Sequence, residues 1–480
     1  MSATASGAAG AGRTGPPSKY PATAHNSLSG LAWPGLPTQH GTRLIALLYQ
    51  LELSQWWTPQ QLRRQQFRQL AALLQHTFKH VPHYRAHREA WGIEGKWDLT
   101  PDSFANRVPI LTRAEVQEGG AAFHSEAVPE AHGKTGDTFT SGSTGRPLRT
   151  LKTGLSEMLW QAFTLRENLW HRDLQKKLAI IKIVDGTHGD YPSGAAYDNW
   201  GSYASQTFET GPSCMLHVST KTHEQVEWLG RMAPDYILTL PANAQALAHY
   251  CLANGVKFPN LRQIATFSDL LRPEARASCE EAWGVSVADI YSSAEIGYIA
   301  LQCPDSENYH IQAESAYIEI INDAGNACAV GEVGRVIATP LHNFAMPLLR
   351  YHSGDLAEVG ECGCGRGLPT IRRIMGRTRS TITLPNGEQH YSSLQDLLIN
   401  FDMVRQFQIR RRERDSLDVK FVVTRVLTES EAAEFAGEMR ARFKHPFRVN
   451  ISYHDELGRS ESGKFHDFRD VYSEGGGDGG

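Results

Sequence analysis

Between residues 178 and 291 short apolar runs alternate with amphipathic stretches, and this alternation restricts the fold more than any other feature of the chain. Residues 178–184, 236–240, 261–267 and 285–291 are rich in Ile, Val, Leu and aromatic side chains and read as buried strands. Residues 223–232, 242–253 and 273–283 carry apolar side chains at helical spacing. A strand that reaches the next strand through a helix lies parallel to it. The pattern therefore implies βαβ units and an α/β fold, a large domain with mainly parallel sheets flanked by helices. Open sheets of this kind bind ligands beyond the carboxyl ends of their strands, and Tyr291 and Glu295 fall at such an end.

At 480 residues the chain exceeds a single compact core. After Gly376 the pattern changes: 407–412 and 417–424 read as paired strands, 429–444 as a helix and 448–454 as a strand, which predicts a small mobile α+β domain. The expected division is a disordered tail over 1–26, rich in Ala, Gly, Ser, Thr and Pro, a large domain over 27–376, the small domain over 377–472, and a glycine-rich tail over 473–480. Within the large domain Thr58-Pro59 predicts an N-cap and first turn, followed by Leu62, Phe67, Leu70, Leu73, Leu74 and Phe78 on one helix face. A formal net charge of −4 gives no field for nucleic acid or an anionic membrane. No apolar run approaches the roughly 18 residues of a membrane span, so a cytoplasmic protein with neither kind of partner is expected. Seven cysteines without a secretory leader point to reduced thiols or a metal site.

The stretch Thr138-Phe139-Thr140-Ser141-Gly142-Ser143-Thr144-Gly145-Arg146-Pro147-Leu148 packs hydroxyls and glycines into one loop. Glycines let successive backbone N–H groups point at one anion and the hydroxyls add donors, so the loop suits polyphosphate. It is not a Walker loop, because Arg146 follows Gly145 and no hydroxyl follows Arg146. Three further segments follow in order: Tyr291-Ser292-Ser293-Ala294-Glu295-Ile296-Gly297, Arg350-Tyr351-His352-Ser353-Gly354-Asp355, and Gly458-Arg459-Ser460-Glu461-Ser462-Gly463-Lys464. In this order, from about Trp33 to Lys464, the set resembles the signature of the acyl-adenylate-forming superfamily. Within it the chain is most similar to the phenylacetate-CoA ligase and capsular-polysaccharide-biosynthesis ligase-like branch.

That resemblance implies an AMP-forming acyl ligase that uses ATP and Mg²⁺, a small carboxylic acid, and CoA or an amine as acceptor. Thr140, Ser141, Gly142, Ser143, Thr144 and Gly145 would hold the phosphates, with Arg146 at the edge. Glu295 would ligate Mg²⁺, an oxygen-ligand task. Tyr291 would lie against adenine, with Ser268 and Asp269 lining the adenine pocket. Asp355 would accept the ribose hydroxyls and Arg377 would reach the ribose from the domain boundary. Lys464 would bridge the incoming carboxylate and the α-phosphate. Lys464, Glu295 and Thr144 are thus the expected catalytic residues.

Cys303, His310, Cys362 and Cys364 form a second constellation, three thiolates and an imidazole that suit a structural Zn²⁺. Cys214, Cys251, Cys279 and Cys328 read as small core hydrophobes. Where most relatives carry acidic residues after the hinge Gly-Arg, this chain reads Thr378-Arg379-Ser380, which bears on the second half-reaction. The loop 185–191, beyond a predicted strand, is placed to border the acid pocket. Besides CoA transfer, the sequence leaves open amide formation with an amine and a non-catalytic nucleotide-binding role in polymer assembly; a homodimer is compatible with each.

Overall fold

The computed structural model describes residues 22–93, 97–139, 148–184, 186–377, 381–383, 389–391, 401, 403–455, 457 and 468–472. The residues Thr140, Ser141, Gly142, Ser143, Thr144, Gly145 and Arg146 of the expected phosphate loop lie outside them, as do Asp185, the expected hinge residues Thr378, Arg379 and Ser380, the expected catalytic residue Lys464, and both expected tails apart from residues 22–26. Residues 22–26 make contacts with the chain near residue 208. Ala24 bridges Phe208, and the His25 N–H donates to the Thr207 carbonyl at 3.0 Å.

A 12-stranded sheet organises the large domain, with the short strand Ala195–Tyr197 at one edge, antiparallel to Ser213–His217. Strands Ser213–His217, Leu178–Lys182, Tyr236–Thr239, Gln263–Phe267 and Ser286–Ser293 pair in parallel in that spatial order. The parallel expectation holds over this stretch. The sheet then continues as an antiparallel limb, through Gly297–Gln302, Tyr309–Ile311, Thr370–Arg377, Tyr351–Gly360, Val333–Pro340 and Ala316–Ile321. Antiparallel neighbours need only short turns, so this half carries no crossover helices and no helical pattern in its sequence.

Helices cover the parallel half on both faces, as its two-sided apolar strands require. Thr222–Met232, Pro241–Asn254 and Pro273–Trp283 bury Trp228, Leu229, Leu247 and Cys251 against Ile181, Ile237 and Ile264. Gly284, with φ of 68°, ends the last of these in the left-handed conformation that glycine adopts without strain. On the other face Gln39–Ser54 and Gly154–His171 place Leu44, Leu48, Phe163 and Leu165 against Ile290, Tyr298 and Leu301. The helix Pro59–His80 has the predicted Thr58 cap, reinforced by Gln61 in a capping box, and its face from Phe67 to Phe78 packs on the antiparallel limb. Cys214, Cys251 and Cys279 are buried as expected, whereas Cys328 is only half-buried at the edge of the core.

The C-terminal segment forms a separate four-stranded sheet in the order Arg448–Tyr453, Ser416–Val423, Val404–Glu413, Phe468–Asp470. Its helix Glu429–Phe443 buries Phe435, Met439 and Phe443 against Phe407, Val419 and Phe421. Among the described residues no helix is long and apolar enough to cross a membrane.

Candidate active site

A cavity of about 560 Å³ opens at the carboxyl ends of the parallel strands. Ile183 and Ser268 line it just beyond two of those strands, and Ser292, Ser293, Ala294 and Glu295 line it from the end of a third. Glu295 is not a solvated helix-start residue. Strands Ser286–Ser293 and Gly297–Gln302 form a hairpin whose last pair is Ser293 and Gly297, so Glu295 occupies the tip. Gly297 has φ of 102°, which a three-residue turn of this kind requires, and Ser293 Oγ accepts from the Ile296 N–H at 3.1 Å. The turn holds Glu295 inward, 8% exposed. Ser268 also sits at positive φ, 74°, a conformation costing a non-glycine residue about 1–3 kcal/mol and characteristic of ligand sites.

Tyr291, Asp355 and Arg377 come together beside this cavity. The Tyr291 hydroxyl donates to Asp355 Oδ2 at 2.7 Å, both residues being buried. Asp355 stands opposite Arg377 in the antiparallel pairing of Tyr351–Gly360 with Thr370–Arg377. The neighbouring Gly376, with φ of 96°, lies close to Leu270, next to Asp269, whose carboxylate accepts from the Leu270 N–H at 2.9 Å. Residues far apart in sequence are thus gathered at the sheet's switch from parallel to antiparallel pairing. The loop 186–191 does not contribute to the cavity wall; of its surroundings the cavity takes Ile183, while the Tyr191 hydroxyl donates to Glu227 at 2.7 Å.

Motif reading missed several side chains in the cavity wall. Arg113 opens the helix Arg113–Gly119, and its Nη1 lies 2.7 Å from Glu295 Oε1. Lys152, on the strand Arg149–Thr153, donates from Nζ to the Glu295 carbonyl at 2.8 Å. Burial pulls the Lys152 ammonium down to about 8, against the opposing charges of Glu295 and Glu157. His342 is pushed down to about 4 by burial, so it is neutral, and its buried Nδ1 has no hydrogen-bond partner among the described residues. Trp160, Phe163, Tyr298, Phe267 and Ile296 form an apolar wall, with the Trp160 and Tyr298 rings 4.8 Å apart. Only the Thr112…Glu115 capping box marked the segment carrying Arg113, by fixing where its helix starts.

Strands Thr135–Phe139 and Arg149–Thr153, which flank residues 140–147, pair antiparallel up to Phe139 and Arg149. Thr138 and Phe139 line the cavity, so the chain enters the hydroxyl-rich segment at its wall.

Away from the cavity, the ligand atoms of Cys303, His310, Cys362 and Cys364 all lie within 4.8 Å of one another. The Cys303 and Cys362 sulfurs are 3.8 Å apart, and Cys364 Sγ lies 3.2 Å from His310 Nε2. Burial and the nearby Arg366 charge drive His310 down to about 4, keeping its imidazole neutral. Arg366 stacks between Trp56 and Trp170, 4.8 and 4.9 Å from their ring centroids, and its Nη1 reaches Asp305 at 2.8 Å. The Asp305 N–H donates to Cys303 Sγ at 3.4 Å.

No family model matches the chain. A phenylacetate-coenzyme A ligase of Escherichia coli K12 is 24% identical over 398 residues, covering 80% of this chain and 88% of the relative. A phenylacetate-coenzyme A ligase of Thermus thermophilus is 25% identical over 387 residues, covering 78% and 83%. Among solved structures, 2-hydroxyisobutyryl-CoA ligase in its postadenylation state with 2-HIB-AMP aligns with a TM-score of 0.65 at 20% identity, covering 85% of this chain and 89% of that one. The chain is related to phenylacetate-CoA ligases and has the fold of adenylate-forming ligases.

Proposed function

We propose that this chain is an ATP-dependent, AMP-forming acid–CoA ligase. A carboxylate oxygen attacks the α-phosphorus of ATP, the bond to pyrophosphate breaks, and the acyl group of the resulting adenylate passes to the CoA thiol with release of AMP. The observation that carries this reading is the convergence of Glu295 and Ser268 on one cavity, with Tyr291, Asp355 and Arg377 grouped beside it, in a chain whose relatives are acid–CoA ligases.

In this reading Asp355 takes the ribose hydroxyls, Arg377 and Tyr291 complete the nucleoside side, and Ser268 and Asp269 border the adenine. Thr140, Ser141, Gly142, Ser143, Thr144 and Gly145 take the phosphates. Glu295 fits a hard cation, being an oxygen donor at the cavity wall, and would hold the Mg²⁺ that neutralises phosphate charge. The wall of Trp160, Phe163 and Tyr298 suits an aryl or other hydrophobic acid. CoA is favoured as acceptor by the relatives; no observation favours an amine or a non-catalytic role. Seven free cysteines accord with a reducing, cytoplasmic setting.

Hydroxamate trapping with ATP across a panel of carboxylic acids tests the first step, and repeating the hits with CoA tests the second. Aryl or hydrophobic acids should give hydroxamate and then thioester. ATP binding without adenylate from any acid class would leave only the non-catalytic reading.

Cys303, His310, Cys362 and Cys364 would hold a structural Zn²⁺. The 3.8 Å sulfur separation is the tetrahedral edge that zinc–thiolate bonds of about 2.3 Å give, and four protein ligands leave no open position for catalysis. Purified protein should carry about one zinc per chain, and Cys364→Ser should lower metal content and melting temperature together, since site assembly is coupled to local folding. Metal-free protein prepared without chelator counts against the site.

The small domain, over 377–472, would turn between the two half-reactions, with the segment Arg377–Ser380 absorbing the change. Arg379→Pro, which fixes φ near roughly −65°, should slow thioester formation much more than adenylation. Single-turnover measurement of each step checks this; equal slowing of both removes the hinge from that segment.

A further inference from the structure

Lys152 stands in the cavity wall, and among the described residues it makes no ion pair. Its Nζ donates to the Glu295 carbonyl at 2.8 Å, which engages one of the three protons of an ammonium. The Glu295 carboxylate meets Arg113 instead, at 2.7 Å. Glu157, the other acid in the wall, is exposed and accepts from the Gln161 side chain at 3.3 Å. The wall beside Lys152 is built in one piece. The strand Arg149–Thr153 runs directly into the helix Gly154–His171, with Thr153 as its cap, holding the Ser156 N–H at 3.2 Å. Ser156, Trp160 and Phe163 then line the same cavity at spacings of four and three, one face of the helix. From Ser156 to Phe163 the helix rises about 10 Å. A single segment thus presents an ammonium, a hydroxyl and two rings in that order, with Tyr298 packed on both rings.

An amphipathic anion matches that order, its charge at Lys152 and its apolar body along Trp160 and Phe163. We infer that Lys152 holds the reacting carboxylate of the acid and sets its direction in the cavity, the preferred acid being a monocarboxylate whose body carries no second charge. The inference rests on the adenylate-forming reading above. Phosphate is the rival anion for the ammonium, and the placement favours the acid. The groups assigned to the nucleoside, Tyr291, Asp355 and Arg377, stand on strands of the large sheet, whereas Lys152 belongs to the segment that carries the rings. Lys152 also divides the work with Lys464. It is part of the large domain and receives the acid there, leaving Lys464 to the chemical step. Holding the carboxylate beside Glu295 places the nucleophile next to the residue proposed to carry the metal, which is the positioning that an in-line attack needs.

Calorimetric binding of benzoate, phenylacetate and hexanoate, each compared with its primary amide, tests this on the full chain. An α,β-methylene analogue of ATP is present throughout, so that no adenylate forms. The parent should bind at least one of the acids at least about tenfold more tightly than its amide, the scale of one charge-assisted hydrogen bond. Lys152→Met should erase that preference, and so should Lys152→Gln, which keeps a donor for the Glu295 carbonyl. Lys152→Arg, which keeps the charge, should retain part of it. Affinity for the nucleotide analogue should stay within about threefold in all three variants, and melting curves like the parent's exclude misfolding as the cause. A carboxylate preference that survives in Lys152→Met and Lys152→Gln overturns the inference. So does a loss of nucleotide affinity with the preference intact, which gives the cation to the phosphates. A parent that prefers none of the acids to its amide overturns it without any variant. Hydroxamate trapping judges the ligase reading separately: a parent that shows the Lys152-dependent preference but traps no hydroxamate fails as a ligase and keeps Lys152 as a carboxylate-binding residue.

Discussion

Lys464→Ala should slow adenylate formation by roughly 10²–10³ while ATP binding persists. In the proposed mechanism the ammonium bridges the acid carboxylate and the α-phosphate, and it matters most as charge shifts between them. Losing one such stabilising group costs about 2.7–4 kcal/mol of barrier. Lysine suits the task as a compact charge on a long stem, and Gly463 before it permits close approach. In the described chain on either side, Arg448–Tyr453 pairs with Ser416–Val423, and Phe468–Asp470 pairs with Val404–Glu413. Lys464 lies four residues before Phe468. Pyrophosphate release in single turnover, set against ATP affinity measured separately, checks the expectation. Near-normal release from the variant would take Lys464 out of the first half-reaction. A parallel loss of ATP affinity would make it a binding residue instead of one acting on the transition state.

What the sequence made legible was whatever local chemistry fixes. The helix Pro273–Trp283 follows from its first-position proline and the glycine after it, and Pro59–His80 from the Thr58 cap. The strands of the parallel half stood out because burial on both faces makes them apolar. The antiparallel limb did not, because its order depends on contacts distant in the chain. Thr370–Arg377 lies between Tyr309–Ile311 and Tyr351–Gly360, and nothing within those segments specifies that neighbourhood. The same holds for the site. Glu295, Tyr291 and Asp355 could be named from motifs, but the Tyr291–Asp355 hydrogen bond and the pairing of Asp355 with Arg377 arise only when the limb folds back. Arg113 and Lys152 carried no motif; they reach Glu295 across 182 and 143 positions of sequence. Arg350 lay inside a recognised motif, and its guanidinium is engaged by Glu319 and by the Ala105 and Val108 carbonyls.

Arg350→Met should destabilise the large domain by about 3–5 kcal/mol, the cost of breaking a buried ion pair from one side. Arg350 pairs with Glu319 through two bonds of 3.0 Å, and its Nη1 also donates to the Ala105 and Val108 carbonyls at 2.6 and 2.8 Å. The side chain is 6% exposed, so its removal strands a carboxylate and two carbonyls away from water. Glu319→Gln, which leaves the carbonyl bonds in place, should cost clearly less; the reverse order, read from denaturant midpoints, would mean that the carbonyl clamp contributes little. Burial already raises the Glu319 carboxyl pKa with Arg350 beside it, and without the guanidinium that rise goes unopposed. A carboxyl whose folded-state pKa is raised favours folding while protonated and loses that contribution as pH climbs through the folded value. The deficit of Arg350→Met should therefore shrink as pH is lowered toward the carboxylate range. The consequences reach the site, because the Leu111 N–H donates to the Arg350 carbonyl at 3.0 Å and the His352 N–H to the Leu111 carbonyl at 2.9 Å. That bridge fixes both the start of the Arg113 helix and the strand that carries Asp355. In the folded fraction of Arg350→Met, ATP affinity should fall, since the strand that carries Asp355 in the proposed nucleotide site begins at this bridge.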